Sequence, residues 1–303
     1  MRAFKYYLCA VVVACFALCA RCATHGARPK LAVVMPTTNT QMDRIRYNFD
    51  QWRTHTPCTT LTFGVDATFV FQVNTRFEPH VRRELEELWN ATAYGRRCFT
   101  GGALFEEAAL TPEQDQPRVE GTCWQHYRTF SRMVELGFDH WLQFESDVLP
   151  VRSKWLTRVA EEMVDNSDCQ RFWVRGPAPA YGPSHKSDGP RIDGHLINGN
   201  ALYCLNDDTL DYTRRVVAEF PPSGCTVPRA YERDGMRGLV GFDWVSYLYR
   251  TSMRAQQYMT GRSHAFQVAS WIADYGCCTT ASQVSEAVRR REDVHLMHTK
   301  VFF

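Results

Sequence analysis

The sequence lacks a charge bias. Its 303 residues carry 35 Lys and Arg against 33 Asp and Glu, a net charge of +2. There is no long basic stripe; the densest basic run, Arg289-Arg290-Arg291, reads as a solvated helix face. Nucleic acid is therefore not expected as a partner. Also lacking is an uncharged apolar run of about 20 residues, the length of an ordinary spanning helix. There is no glycine-rich Walker loop, which argues against a kinase or sulfotransferase. There is no G-x-S-x-G, so an α/β-hydrolase would lack its nucleophile. The cysteines beyond residue 22 contain no C-x-x-C pair, which argues against a zinc ribbon. Neither internal repeats nor low-complexity segments occur.

Hydrophobic residues make up 45% of the chain, enough for a substantial core. Arg2 and Lys5 precede thirteen uncharged, mostly apolar residues, Leu8 to Ala20, and Arg21 closes the run. That length suits a signal-peptide h-region. Small residues at Ala17/Cys19 and Ala20/Cys22 offer cleavage sites. Counting Tyr6 and Tyr7 lengthens the run, which a thin membrane tolerates as a short signal anchor. Residues 1–23 are thus expected to be a cleaved signal or a short anchor, and 24–303 a single luminal domain. Eight of the twelve cysteines lie beyond this leader, an even count that permits up to four disulfides in an oxidising lumen. Asn90-Ala91-Thr92 is a glycosylation sequon.

Strands and helices alternate along the remainder. Lys30–Met35 reads as a buried strand stopped by Pro36, and Ala67–Val73 as a second. Helical spacing starts near Met42, with Thr38 or Thr40 as its cap, and again at Pro79. "CWQHYRTFSRMVELG" is a helix ended by Gly137. "HWLQF" then leads into Glu145-Ser146-Asp147, followed by a helix that Ser153 could cap. Arg171–Pro177 reads as a strand, 177–195 as a loop over a site, Asp207 or Asp208 to Glu219 as a helix, "GFDWVSYLYRTS" as another, and "DVHLMHTKVFF" as a last strand. This alternation predicts an α/β layered fold with a mostly parallel sheet, whose ligands sit at the carboxyl ends of the strands. Glu145, Ser146 and Asp147 fall there.

Residues i and i+2 of a strand share a side, so Glu145 and Asp147 converge. Carboxylate oxygens suit Mg²⁺ or Mn²⁺, which commonly bridge phosphates. The same pair also reads as two solvated acids on an exposed strand end. In "INGNALY", Gly199 stands between Asn198 and Asn200, either for close approach to a hydroxyl-rich ligand or as a tight turn. Asp243 in "GFDW" is either a general base with a raised pKa or a helix N-cap. His298 and Lys300 in "MHTK" are either a metal ligand and a phosphate contact or a surface pair.

Taken in order, the acid pair, the Gly-Asn loop, the Asp-Trp helix start and the late His-x-Lys resemble a GT-A-type nucleotide-diphospho-sugar glycosyltransferase. The resemblance spans about Lys30 to Lys300. It implies a Rossmann-type α/β/α sandwich and a D-x-D-like motif at Glu145-Ser146-Asp147. On that resemblance Asp147 and His298 hold Mn²⁺ (or Mg²⁺), and Pro36, Thr37 and Thr38 begin the nucleotide site. Glu145 and Ser146 meet the ribose or donor sugar, and Asn198, Gly199 and Asn200 line that sugar. Lys300 neutralises the leaving diphosphate, and Asp243 is the base of an inverting transfer. The motif departs from D-x-D in its first acid, whose extra methylene alters its reach. The implied partners are a nucleotide-sugar donor and a glycan or glycoprotein acceptor. The leader and the cysteines point to the secretory pathway, with the chain anchored in type II fashion in the Golgi or ER lumen or secreted. Two other readings stand beside it: a secreted carbohydrate-binding or adhesion module on the same fold, and a metal-dependent phosphotransfer or hydrolytic enzyme.

Overall fold

A computed structural model of the chain describes residues 28–59, 64–115, 118–178, 196–222, 241–276 and 281–299. The leader, most of the 177–195 loop and Lys300 lie outside the described residues. Strands β1 (Lys30–Thr37), β2 (Asp66–Val73), β3 (Ala103–Glu107), β4 (His140–Gln143), β6 (Val174–Gly176), β7 (Leu202–Cys204) and β8 (Phe266–Val268) form one sheet in the order β3-β2-β1-β4-β7-β6-β8. β1 pairs in parallel with β2 and β4, β2 with β3, and β6 with β8, while β7 runs antiparallel to both neighbours. A smaller sheet has β10 (Leu296–Thr299) between β5 (Val148–Pro150) and β9 (Ile272–Gly276). The expected α/β class with a mostly parallel sheet is the one observed.

Alternation along β1 explains the layering. Leu31, Val33 and Met35 enter one buried cluster; Ala32 and Val34 enter another on the opposite face. A strand covered on both faces reads as a continuous apolar run. The first cluster takes helices α1 (Met42–Thr54), α2 (Pro79–Ala91) and, after the short α3 (Ala93–Cys98), α5 (Trp155–Val164). The second takes α4 (Arg118–Glu135), α6 (Asp207–Glu219) and α7 (Phe242–Thr251). The short α8 (Gln256–Met259) and α9 (Ala281–Arg290) complete the α-helices of the described residues, and Ser263–Ala265 forms a 3-10 turn.

Some boundaries differ from expectation for local reasons. β1 continues through Pro36. Val34 O accepts from Phe144 N on the β4 side, and Thr37 O from Asn74 N on the β2 side. Residue 36 therefore faces the side β4 has already left, where a missing N–H costs no ladder bond. The N-cap of α1 is Gln41 rather than Thr38 or Thr40; its Oε1 lies 3.1 Å from Thr37 Oγ1. Lys154, with φ of 66°, is the N-cap of α5, and the Ser153 hydroxyl donates to Thr54 O instead. Gly137 ends α4 as expected, with φ of 72°.

Disulfides join Cys58 to Cys98 and Cys169 to Cys204. His140 lies close to the second, fully buried at the start of β4. No helix among the described residues is long and apolar enough to cross a membrane. Burial holds the His140 imidazole down to about 4 from an ordinary 6.5. Between those values the unfolded chain binds the proton and the folded one does not. The neutral imidazole's contribution is full above 6.5 and lost as pH falls toward 4, up to about 3 kcal/mol. Thermal unfolding should therefore show Tm falling from pH 7 to pH 4.5, with a smaller fall in His140→Leu. Equal falls would contradict a buried neutral His140.

Candidate active site

The strand order turns at β1. β2 and β3 extend the sheet to one side and β4 to the other, so a crevice opens beyond the carboxyl ends of β1 and β4. A cavity of about 180 Å³ occupies it. Pro36, Thr37 and Thr38 line it from β1, and Glu145, Ser146 and Asp147 from beyond β4. Arg44, Gln125 and His126 face it from the helices. Six of the expected site residues thus meet in one place.

Aromatic packing seats this strand end. Phe144 stacks on Trp155 at 5.2 Å, and Trp155 meets Trp52 at 5.4 Å. From α1, the buried Asn48 amide donates to Val148 O at 2.6 Å and Ser146 O at 3.3 Å. Trp52 Nε1 holds Asn48 Oδ1 at 3.0 Å. The turn carrying Asp147 is thereby pinned to the helix behind it.

The smaller sheet delivers the imidazole. β10 pairs antiparallel with β5, placing His298 opposite Val148, and parallel with β9, placing it opposite Asp274. Asp274 Oδ1 holds His298 Nδ1 at 2.8 Å. His298 Nε2 then faces Asp147 Oδ1 at 3.4 Å and Glu145 Oε2 at 3.8 Å. Asp147, Asp274 and His298 are all buried. Burial pushes the imidazole pKa down, but the hydrogen bonds and charges of Asp147 and Asp274 outweigh it and hold it up at about 10. Even charged, one imidazolium faces three carboxylates among the described residues. Arg44 approaches Asp147 Oδ2 only to 4.0 Å, from a partly exposed position.

These residues fit a divalent cation. Ligand atoms of Glu145, Asp147 and His298 lie within 4.8 Å of one another. His298 Nε2 is buried without a well-formed hydrogen bond among the described residues. Carboxylate oxygens suit Mn²⁺ and Mg²⁺, and a ligating His commonly gives its other N–H to a carboxylate, as His298 does to Asp274. The other buried cluster, His140 with Cys169 and Cys204, has its sulfurs committed to a disulfide.

The Gly-Asn loop lies beside Glu145 because β7 runs antiparallel to β4. Asn200 Oδ1 accepts from Glu145 N at 3.1 Å, and its amide donates to Glu145 Oε2 at 3.3 Å. Asn198 Oδ1 accepts from both the backbone N and the amide of Asn200. A Cβ at Gly199 would stand 2.2 Å from the Phe242 ring, so glycine is needed for that close approach. In the described geometry these three residues support Glu145 and Phe242.

Asp243 lies in the first turn of α7, whose N-cap is Gly241; its Oδ1 accepts from Trp244 N at 2.9 Å. It lines a separate cavity of about 40 Å³ together with Tyr203, Tyr212 and Ser246. His126 and Phe242, stacked at 3.6 Å, line both cavities and stand between them. Burial pushes the Asp243 carboxyl up from 3.8 to about 6, with Glu145 and Asp274 adding to the rise. Sequence reasoning missed Asp274, Asn48, Arg44 and His126. Only Asp274 carried a signal, an acid amid apolar residues in "WIADYG".

No family model and no curated protein matches this chain in sequence. In fold the chain is similar to mouse xyloside xylosyltransferase 1 in its apo form, at 11% identity and a TM-score of 0.47, covering 89% of this chain and 98% of that one. It is also similar to the galactosyltransferase LgtC in complex with donor and acceptor sugar analogues, at 11% identity and a TM-score of 0.46, covering 89% and 87%. An active-site mutant of LgtC gives a TM-score of 0.45 at 12% identity.

A carboxyl raised in the folded state lowers stability as pH rises from 3.8 to about 6, and the full penalty persists above that. Asp243→Asn should therefore stabilise the metal-free protein above pH 7, by up to about 3 kcal/mol, and leave it unchanged near pH 4. Urea unfolding at the two pH values checks this. A variant equally stable to wild type at pH 8 would contradict it.

Proposed function

We propose that this chain transfers a sugar from a nucleotide-diphosphate donor to a glycan or glycoprotein acceptor in the secretory lumen, with a divalent cation. The observation that carries this reading is the buried Asp147–His298–Asp274 array beside Glu145, facing the crevice at the strand ends. A buried excess of carboxylate is costly unless a cation balances it. Disulfides in the described residues support an oxidising compartment. A leader that is a cleaved signal or short anchor agrees with that location.

Asp147 and His298 Nε2 would hold Mn²⁺ or Mg²⁺, with the Glu145 carboxylate as a third ligand that also faces the donor. Bound there, the cation would offset charge developing on the leaving diphosphate. Asp274 keeps the imidazole turned so that Nε2 faces the carboxylates. Pro36, Thr37, Thr38 and Ser146 offer the walls of a nucleotide site. Lys300, one residue beyond β10, is assigned the diphosphate by its place in the sequence. Asn198, Gly199 and Asn200 act on the donor through Glu145, which Asn200 grips at two points. Asp243, its carboxyl pushed up to about 6, is assigned the acceptor proton in the inverting version of the transfer, which requires the acceptor to reach it past the His126–Phe242 wall. If it only positions the sugar, retention is open to the same site.

A non-catalytic sugar-binding module has no need of a buried imidazole–carboxylate array, so it ranks second. Thermal shifts with UDP-, GDP- and CMP-sugars, with and without Mn²⁺, separate the readings. Transfer predicts that one donor class raises Tm only with metal, and that Asp147→Ala abolishes the rise. At a hundredfold excess over Kd the stabilisation is about 2.7 kcal/mol. A rise with free glycans that ignores metal and nucleotide would favour the binding module. Phosphate release from simple esters would favour a phosphotransfer or hydrolytic enzyme.

A further inference from the structure

Glu145 is held by two amides. Asn200 Nδ2 reaches Oε2, and Gln143 Nε2 donates to Oε1 at 3.0 Å. Gln143 precedes Glu145 by two residues and shares its side of the strand. Its orientation is not free. A carboxylate only accepts, so the Gln143 atom facing Glu145 must be the NH₂ group, which turns Oε1 away. That Oε1 lies 2.8 Å from His126 Nδ1. An amide oxygen also only accepts, so His126 Nδ1 must carry the hydrogen. Burial keeps this imidazole neutral, down at about 4. The ring is further fixed by lying flat on Phe242, at 3.6 Å and 8°.

We propose that His126 is a positioning residue for the cation site, setting the direction of the Glu145 carboxylate through Gln143. The relay runs from His126 Nδ1–H to Gln143 Oε1, and from Gln143 Nε2–H to Glu145 Oε1. Without the His126 donor, the Gln143 amide can turn over and present its oxygen to Glu145, repelling the carboxylate it now holds. His126 would act through Gln143 and not as a ligand, since its hydrogen bond among the described residues goes to Gln143. Its effect resembles that of the outer-shell partners of metal ligands, whose loss costs roughly 10–100-fold in metal affinity. This inference rests on the reading of Glu145, Asp147 and His298 as a cation site.

Two substitutions separate the N–H from the ring. His126→Phe keeps a flat ring against Phe242 and loses the donor. His126→Asn loses the ring but keeps an amide N–H near the Nδ1 position. The measurement is Mn²⁺ affinity of the whole protein without substrate, by calorimetric titration, with Tm recorded for each variant. His126→Phe should weaken Mn²⁺ binding by about 10–100-fold. His126→Asn should lower Tm yet weaken Mn²⁺ binding by less than that range. Gln143→Met should match His126→Phe, and the double variant should be no weaker than either single one, because both break one relay. If His126→Phe does not fold, Gln143→Met decides alone. Wild-type affinity in His126→Phe or Gln143→Met would overturn the proposal. So would a loss in His126→Asn as large as in His126→Phe, since affinity would then follow the ring. Absence of Mn²⁺ binding by the wild type is a different failure, and would remove the cation reading itself.

Discussion

Asp147 is buried beside Glu145, and much of the architecture bears on how two carboxylates can be kept there. Taken from water without partners, they would neutralise or unfold the turn that carries them. The fold supplies a second sheet whose middle strand brings His298 to within 3.4 Å of Asp147. Asp274 on the next strand then fixes the imidazole from behind. Asp274 is the third carboxylate around that one imidazole among the described residues.

The supports reach the site from every layer. Asn48 holds the Asp147 turn from α1, and Trp155 seats Phe144 from α5. Asn200, just before the neighbouring β7, and Gln143, at the end of Glu145's own strand, clamp the Glu145 carboxylate. Gly199 admits the Phe242 ring, which closes the cavity opposite and carries Asp243 behind it. The carboxylates of Glu145 and Asp147 and the raised carboxyl of Asp243 therefore occupy neighbouring cavities with a shared wall, His126 on Phe242.

The long elements were legible in the sequence because their signals are local. β1 and β2 are continuous apolar runs, α4 ends at a glycine, and Glu145-x-Asp147 follows from strand alternation. Short elements such as β3, β8 and β9 were not, since a strand of 3 to 5 residues is made by its neighbours. Helix caps failed for a related reason: Ser153 looks like a cap, but the left-handed Lys154 turns it toward Thr54. At the site, sequence order brought the right segments together. It could not say that Asn198 and Asn200 spend their hydrogen bonds on each other and on Glu145, nor that Asp274, 24 residues before His298, is its partner. Those are facts of strand pairing.

The most direct test of the cation site is anomalous diffraction from crystals of the protein grown with Mn²⁺. The account predicts one manganese peak bonded to the Glu145 and Asp147 carboxylates and His298 Nε2, with Asp274 still on Nδ1. No peak there at saturating Mn²⁺, with Asp147 and His298 remaining paired to each other, would contradict it. The cluster would then be a buried ion pair and not a metal centre.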